Sequence, residues 1–201
     1  MQGVLRCRVG NRVSHYENFI RLRIVNVGML TYMSIRIRLQ QLMAVGDIVF
    51  RPPIIVSRGV NRDVFVSPAV NAFLEFQGID PRFARASGRA LAKIDTFSSG
   101  RKIVFGLNPS GKSPATLVSR NAPWRRGIVE LRVCSYKPDV RIFGGFVDRD
   151  VLALLTWAPK DGINYRDEVR RCRSEWDRMF PGMSPLIGNH HDDYLTNFLP
   201  G

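Results

Sequence analysis

The sequence predicts an α+β protein with a helical hairpin, a small antiparallel meander sheet and a C-terminal amphipathic helix, in that order. Three observations carry this. Ser67-Pro68 and Asp80-Pro81 each pair a capping side chain with a proline suited to a first helical turn. Three β-rich runs at 128–135, 140–147 and 151–157 are joined by 136–139 and 148–150, connections too short for a parallel crossover. Asn164 then precedes an apolar stripe at Tyr165, Val169, Cys172, Trp176 and Met179 or Phe180, stepping by three and four, with Arg166, Arg170, Arg173 and Asp177 elsewhere around the helix.

In chain order, residues 1–60 hold short apolar runs broken by arginine. Ile35, Ile37 and Leu39 alternate with Ser34, Arg36 and Arg38, a strand-like period. This region reads either as a small β-rich appendage or as a loosely ordered extension, and Met29 and Met33, which permit a later translation start, favour the second. Val64-Phe65-Val66 is a short strand. A helix over 69–76 presents Val70, Phe73 and Leu74, and Gly78 ends it. The second helix presents Phe83, Ala86, Ala90 or Leu91, Ile94 and Phe97, which makes the pair a helical hairpin. Ile103-Val104-Phe105 reads as a strand, and 106–114 as turn-rich loop. Gly144-Gly145 gives the central meander strand a place to bend. The expected divisions are an extension over 1–60, a domain over 61–182 and a polar tail over 183–201.

Charge is the unusual bulk property. Against 17 Asp+Glu stand 30 Lys+Arg, of which 25 are arginine, for a net +13 over 201 residues. Such a chain suits a polyanion, because clustered cations bind phosphate backbones without reading sequence and arginine contacts phosphate bidentately. Hydrophobic residues at 45% and charged residues at 23% are ordinary for a globular protein. Cys7, Cys134 and Cys172 are few and widely spaced, so neither a zinc site nor a disulfide framework is expected, and a reducing cytoplasm fits. No apolar run approaches the roughly 18 residues of a membrane span, so no membrane partner is expected.

Residues 106–113 match G-x-x-x-x-G-K-[ST], the phosphate-binding loop pattern, and raise a nucleotide triphosphatase as the least favoured function. The context fails. Pro114 removes an N–H where a helix should begin, Asn121 and Pro123 cut the following segment short, and a meander rather than alternating strands and helices comes next. Lys112 remains a loop cation able to touch phosphate. His190-His191-Asp192-Asp193 reads as an exposed polar tail, since adjacent side chains diverge and no third region offers ligands, so no metal site is expected. Cys172 lies on the apolar stripe and reads as a core cysteine.

The order strand, helical hairpin, loop, three antiparallel strands, terminal helix resembles the RelE/ParE superfamily of small bacterial toxins, nearest its HigB-like, phage-associated branch. The resemblance covers roughly residues 63–180. Gly127-Ile128-Val129-Glu130-Leu131-Arg132 resembles the branch's G-x-x-E-L-R strand, Val140-Arg141-Ile142-Phe143-Gly144-Gly145-Phe146 its central strand, and 151–160 its last strand with a terminal basic residue.

The resemblance implies a helical hairpin packed on one face of a small sheet, with the other side and its rim basic and RNA-binding. It implies a toxin–antitoxin component that inhibits translation by cutting mRNA in the ribosomal A site, through metal-free attack of a 2′-OH on the adjacent phosphate, with no cofactor. Arg141, Lys160 and Tyr165 then fall at catalytic positions, Arg141 as the phosphate-holding arginine. Arg132, Arg125, Arg126, Lys112 and Trp124 fall at RNA-binding positions. The implied partners are mRNA on the ribosome and an acidic cognate antitoxin. A ParE-like, non-catalytic protein-binding module is the alternative. Each residue also has a structural reading: Arg132 and Arg141 as the solvated face of a sheet, Lys160 as a turn cation, Tyr165 as core, Trp124 as a cover for the core edge.

Overall fold

The computed structural model describes residues 29–54, 61–110, 113–134 and 137–200. The chain divides into two units, Met1–Ser34 and Ile35–Gly201. Of the first, only the helical backbone of residues 29–34 is described. The expectations for Cys7 and for the arginine-rich stretch before residue 29 lie outside the described residues.

The larger unit is a mixed sheet of eight strands with helices on both faces. In chain order the elements are α1 (Met29–Ala44), β1 (Val49–Arg51), β2 (Asp63–Val66), α2 (Pro68–Leu74), a 3-10 turn (Pro81–Phe83), α3 (Ala84–Ser98), β3 (Ile103–Gly106), β4 (Thr116–Arg120), a 3-10 turn (Trp124–Arg126), β5 (Ile128–Val133), β6 (Val140–Asp148), β7 (Val151–Pro159), α4 (Tyr165–Met179), α5 (His191–Tyr194) and β8 (Phe198–Pro200). The strand order is β1-β2-β7-β6-β5-β4-β3-β8.

The expected meander is present as β5-β6-β7, antiparallel throughout, but it is the centre of a larger sheet. β2 joins β7 in parallel, and β3 pairs in parallel with both β4 and β8. The expected small antiparallel sheet is therefore corrected to a large mixed one. The α2–α3 hairpin sits between β2 and the later strands in sequence, so β2 returns to the sheet parallel to β7.

The capping signals act as expected. Ser67 Oγ accepts from the Val70 N–H at 3.2 Å and also donates to Leu155 O at 2.7 Å, which fastens the start of α2 to β7. Asp80 accepts from the Arg82 N–H at 2.9 Å and opens the turn before α3. Asn164 accepts from the Arg166 N–H at 3.1 Å and opens α4.

Two apolar layers cover the sheet. On one face Val70, Phe73 and Leu74 of α2 and Ala86, Ala90, Ile94 and Phe97 of α3 pack on Leu131, Ile142 and Leu154. On the other, Val169, Cys172, Trp176 and Met179 of α4, with Ile35, Leu39 and Leu42 of α1, pack on Ile128, Phe143 and Leu155. The second face is thus largely covered, not an open basic surface. Covering both faces explains why all nine residues of β6 are buried. It also explains the glycines. A Cβ on Gly144 would lie 1.9 Å from Ala153 O, and one on Gly145 would lie 2.8 Å from the Trp176 ring. The β6–β7 register shifts at Phe143/Gly144, where the bend was expected.

Residues 34–39 form helix, not strand. Ile35, Leu39 and Leu42 are buried at a spacing of four and three, whereas Ile37 is 47% exposed, so the helical period determines burial. Because β1 pairs with β2, the compact unit begins well before residue 61. The tail is corrected too. Tyr194 and Leu195 are core residues, and His191 stacks on Phe198 at 5.0 Å, so the segment closes the sheet instead of trailing in solvent. Arg62 is fully buried. It pairs with Asp150 at 3.2 Å and donates to the carbonyls of Phe97, Arg101 and Asn197, tying α3 to the C-terminal strand.

Candidate functional site

The alternation of β5 divides its side chains. Val129, Leu131 and Val133 enter the layer under α3, so Ile128, Glu130 and Arg132 face the α4 side. The antiparallel ladders then set what lies beside them. Arg132 is directly opposite Arg141, Glu130 opposite Phe143, and Ser119 of β4 opposite Glu130. The apolar stripe of α4 supplies buried residues only from Val169 onward, and the half-buried Tyr165 stands at the helix start. Beyond that point this face of the sheet is polar.

Glu130 and Arg141 are each 1% exposed. Arg141 Nε lies 3.7 Å from Glu130 Oε2, and the Ser119 hydroxyl donates to Glu130 Oε1 at 3.2 Å. Arg141 Nη1 donates to Val140 O at 3.0 Å, and Tyr165 shares the cavity wall with its guanidinium. Burial works against the Arg141 charge, but Cys134, Tyr165 and Glu130 outweigh it and hold the guanidinium above its ordinary pKa. Burial, with Glu130 nearby, pushes the Tyr165 phenol up despite Arg141 and Arg132. The phenol therefore stays protonated at neutral pH and is available as a hydrogen-bond donor.

These groups surround a cavity of about 390 Å³. Among the described residues, Arg132, Arg141 and Lys160 supply three cations to its wall and Glu130 the single carboxylate. Tyr165, Ser110 and Asn121 supply neutral polar groups. Lys160 stands just past β7, half-exposed, 3.8 Å from Asp139. Arg132 Nη1 donates to Ser113 O at 2.7 Å, while its buried Nε has no hydrogen-bond partner among the described residues. A cationic wall around one carboxylate suits an anion the size of a phosphodiester, with a carboxylate and a phenol available for proton transfer.

A second hollow of about 450 Å³ adjoins the first, sharing Ala122 and Tyr165 with it. Arg126, Arg166 and Pro123 complete its wall. Beside it, Trp124 is 39% exposed, with the Arg120 and Arg125 guanidinium groups 5.6 and 5.5 Å from its ring centroid.

The structure thus brings Arg132, Arg141, Lys160 and Tyr165 onto one cavity and Arg126 onto its neighbour. Trp124 and Arg125 lie on the adjoining turn outside either wall, and Lys112 lies outside the described residues. Arg141 is buried, not part of a solvated sheet face. Sequence reasoning about the site passed over Glu130, Ser110 and Asn121. A signal for Glu130 was present: a carboxylate two residues before Arg132 on a strand must share its face.

After Ser113 the chain enters strand β4, not the helix that a phosphate-binding loop requires. In the C-terminal segment, Asp193 accepts from the Asn189 and His190 N–H groups, which holds its carboxyl below the usual range, and no cluster of metal-ligating side chains occurs among the described residues. No helix of the described residues is long and apolar enough to cross a membrane.

No protein-family model, curated protein or solved structure matches the chain.

Proposed function

We propose that the protein is an RNA-cleaving enzyme of the toxin type, whose cavity holds a phosphodiester and promotes attack of the neighbouring 2′-OH. One observation carries this reading: Arg132 and Arg141, opposite each other on adjacent strands, line one cavity together with Glu130, Tyr165 and Lys160. Like charges directly across a ladder destabilise a sheet unless something anionic lies between them. A single carboxylate leaves the wall with a surplus of positive charge.

The chemistry follows from the groups present. Arg132 and Arg141 hold the non-bridging oxygens and meet the charge that grows on them as the phosphorus becomes five-coordinate. Glu130 accepts the 2′-OH proton as the 2′ oxygen bonds to phosphorus. The bond to the 5′ oxygen breaks, and the Tyr165 phenol, assisted by Lys160, supplies its proton. The products are a 2′,3′-cyclic phosphate and a free 5′-OH.

The order of β2, the α2–α3 hairpin, β5-β6-β7 and α4 supports the RelE/ParE-like reading, and with it translating mRNA as substrate and an acidic antitoxin as partner. The charge distribution is consistent: residues 101–160 carry eleven basic and four acidic side chains. Induced expression in bacteria is expected to stop growth and leave cut transcripts, with Arg141→Met losing both effects. Unchanged growth with intact transcripts contradicts the reading.

A further inference from the structure

We propose that the hollow bounded by Ala122, Pro123, Arg126, Tyr165 and Arg166 is a subsite for the base of the leaving nucleotide, the one on the 3′ side of the cut, and that it selects guanine. The proposal rests on the phosphodiester reading of the neighbouring cavity. Ala122 and Tyr165 belong to both walls. In that reading the Tyr165 phenol protonates the departing 5′ oxygen. The nucleotide that carries this oxygen therefore lies on the Tyr165 side of the phosphate, and the adjoining hollow is where its base goes.

The two walls differ in chemistry as the parts of a nucleotide do. The cavity has the cations and the carboxylate that a reacting phosphate needs. Among the described residues, the hollow has no carboxylate and no side-chain amide in its wall. Ala122, Pro123 and Tyr165 give it apolar and aromatic surface, and Arg126 and Arg166 add two guanidinium groups. Bases drawn out of a stack are held on aromatic rings and guanidinium planes. The hollow measures about 450 Å³, within the range of small-ligand sites and with room for a purine. Selection follows from the donors. A guanidinium only donates, and guanine presents two adjacent acceptors, O6 and N7, that one arginine meets bidentately. Cytosine presents an amino group, for which the wall holds no carboxylate.

The hollow is set before anything binds. One side is the turn Trp124–Arg126, where the Arg126 N–H donates to Pro123 O and the Gly127 N–H to Trp124 O, each at 3.0 Å. The Asn121 N–H donates to Ile128 O at 3.0 Å and closes the base of this loop. Arg173 Nη1 donates to Arg126 O at 3.2 Å, which fastens the turn to α4. The other side is the start of α4, where Asn164 accepts the Arg166 N–H. The Tyr165 ring stands edge-on to the buried Phe143, with centroids 6.2 Å apart. The acids of this first turn, Asp167 and Glu168, pair with Arg170 and Arg171. A cation in a first turn also works against the helix dipole, so helix stability does not account for Arg166. A site fixed in advance spends little of its binding energy on ordering.

The test titrates the whole chain by calorimetry with dinucleotides whose 5′ nucleotide lacks its 2′-OH, so that they bind without being cut. Their 3′ nucleotide carries guanine, cytosine or no base. The guanine compound is expected to bind at least roughly tenfold more tightly than the abasic one and at least roughly fivefold more tightly than the cytosine one. An Arg126→Gln/Arg166→Gln variant should bring the guanine-to-cytosine ratio to about one. Circular dichroism checks the fold of the variants, and the wild-type ratios need no variant. Arg132→Met should weaken all three compounds by the same factor and leave the ratios unchanged. Expected ratios with no effect of Arg132→Met would count against the phosphate reading of the cavity and leave the base subsite standing. Equal affinity for the guanine and abasic compounds, the result if the hollow takes a partner's side chain, would overturn the proposal. So would a guanine-to-cytosine ratio near one in the wild type, or one that the double variant leaves unchanged.

Discussion

Arg132 and Arg141 occupy directly opposed positions in the β5–β6 ladder, and both line the same cavity. Their environments differ. Arg141 is fully enclosed beside Glu130, whereas Arg132 is only partly buried and reaches Ser113 O. The pair therefore divides two tasks, one arginine fixed in the sheet and one at the rim.

Substitution should separate these tasks. Arg132→Met is expected to lower RNA cleavage by roughly 100- to 1,000-fold, the usual loss for one donor to a developing anion, while leaving the melting temperature unchanged or slightly raised. Arg141→Met should lower cleavage at least as much and also destabilise by about 3–5 kcal/mol, because the Glu130 carboxylate is left buried without its cation. Glu130→Gln combined with Arg141→Met should recover most of that stability and none of the activity. Thermal melts alongside cleavage rates check both outcomes.

The Cys172 thiol has a consequence for stability at high pH. Full burial pushes it up from 9.0 to about 12. Its folded pKa is raised, so its contribution is fully present below pH 9 and is lost as pH rises from there towards 12, where the unfolded chain ionises first. The slope from this one group approaches 1.4 kcal/mol per pH unit. Denaturant titrations should show a shallower alkaline decline for Cys172→Ala than for wild type. Equal slopes would mean that the thiol is not enclosed in the apolar layer.

Arg62 makes a third test. Its guanidinium joins Asp150 and three backbone carbonyls on separate segments. Arg62→Leu is expected to destabilise by about 3–5 kcal/mol, because three backbone carbonyls lose their buried donor and Asp150 keeps, among the described residues, only its hydrogen bonds from Thr196. Hydrogen exchange should accelerate first at β8 and at the C-terminus of α3.

Gly144→Ala should be among the most damaging single-methyl changes in the chain. The new Cβ would meet the backbone of Ala153, which has no rotamer to yield. A loss of about 3 kcal/mol or failure to fold is expected, at the upper end for overpacking. Gly88→Ala on the open face of α3 should instead stabilise by roughly 0.5–1 kcal/mol.

How much of this was legible follows from particular residues. Caps such as Ser67 and Asn164, the two short connections that force β5-β6-β7 into hairpins, and the stripe from Val169 to Met179 are local signals, and local signals can be read from a chain. The outer strands were not legible as a sheet. β1 and β8 have three residues each and β3 four, too few to show a period, and their pairing is set by partners distant in sequence. Residues 34–39 were misread because Ile35, Ile37 and Leu39 satisfy an alternating pattern, while burial follows Ile35, Leu39 and Leu42. At the site, Arg132 and Arg141 were visible as strand arginines. Glu130, two residues before Arg132, was legible from the strand period, but the opposition of the two arginines depended on a register that only the folded ladder displays.

The central claim is that this cavity cuts RNA through an attacking 2′-OH. Its most direct test is a reconstituted translation reaction with a defined mRNA, in which the new ends are mapped and their chemistry determined. The account predicts discrete cuts bearing 2′,3′-cyclic phosphate and 5′-OH ends with wild-type protein, and none with Arg141→Met. Intact mRNA with the folded wild-type protein, or identical cuts from the Arg141→Met variant, would contradict it.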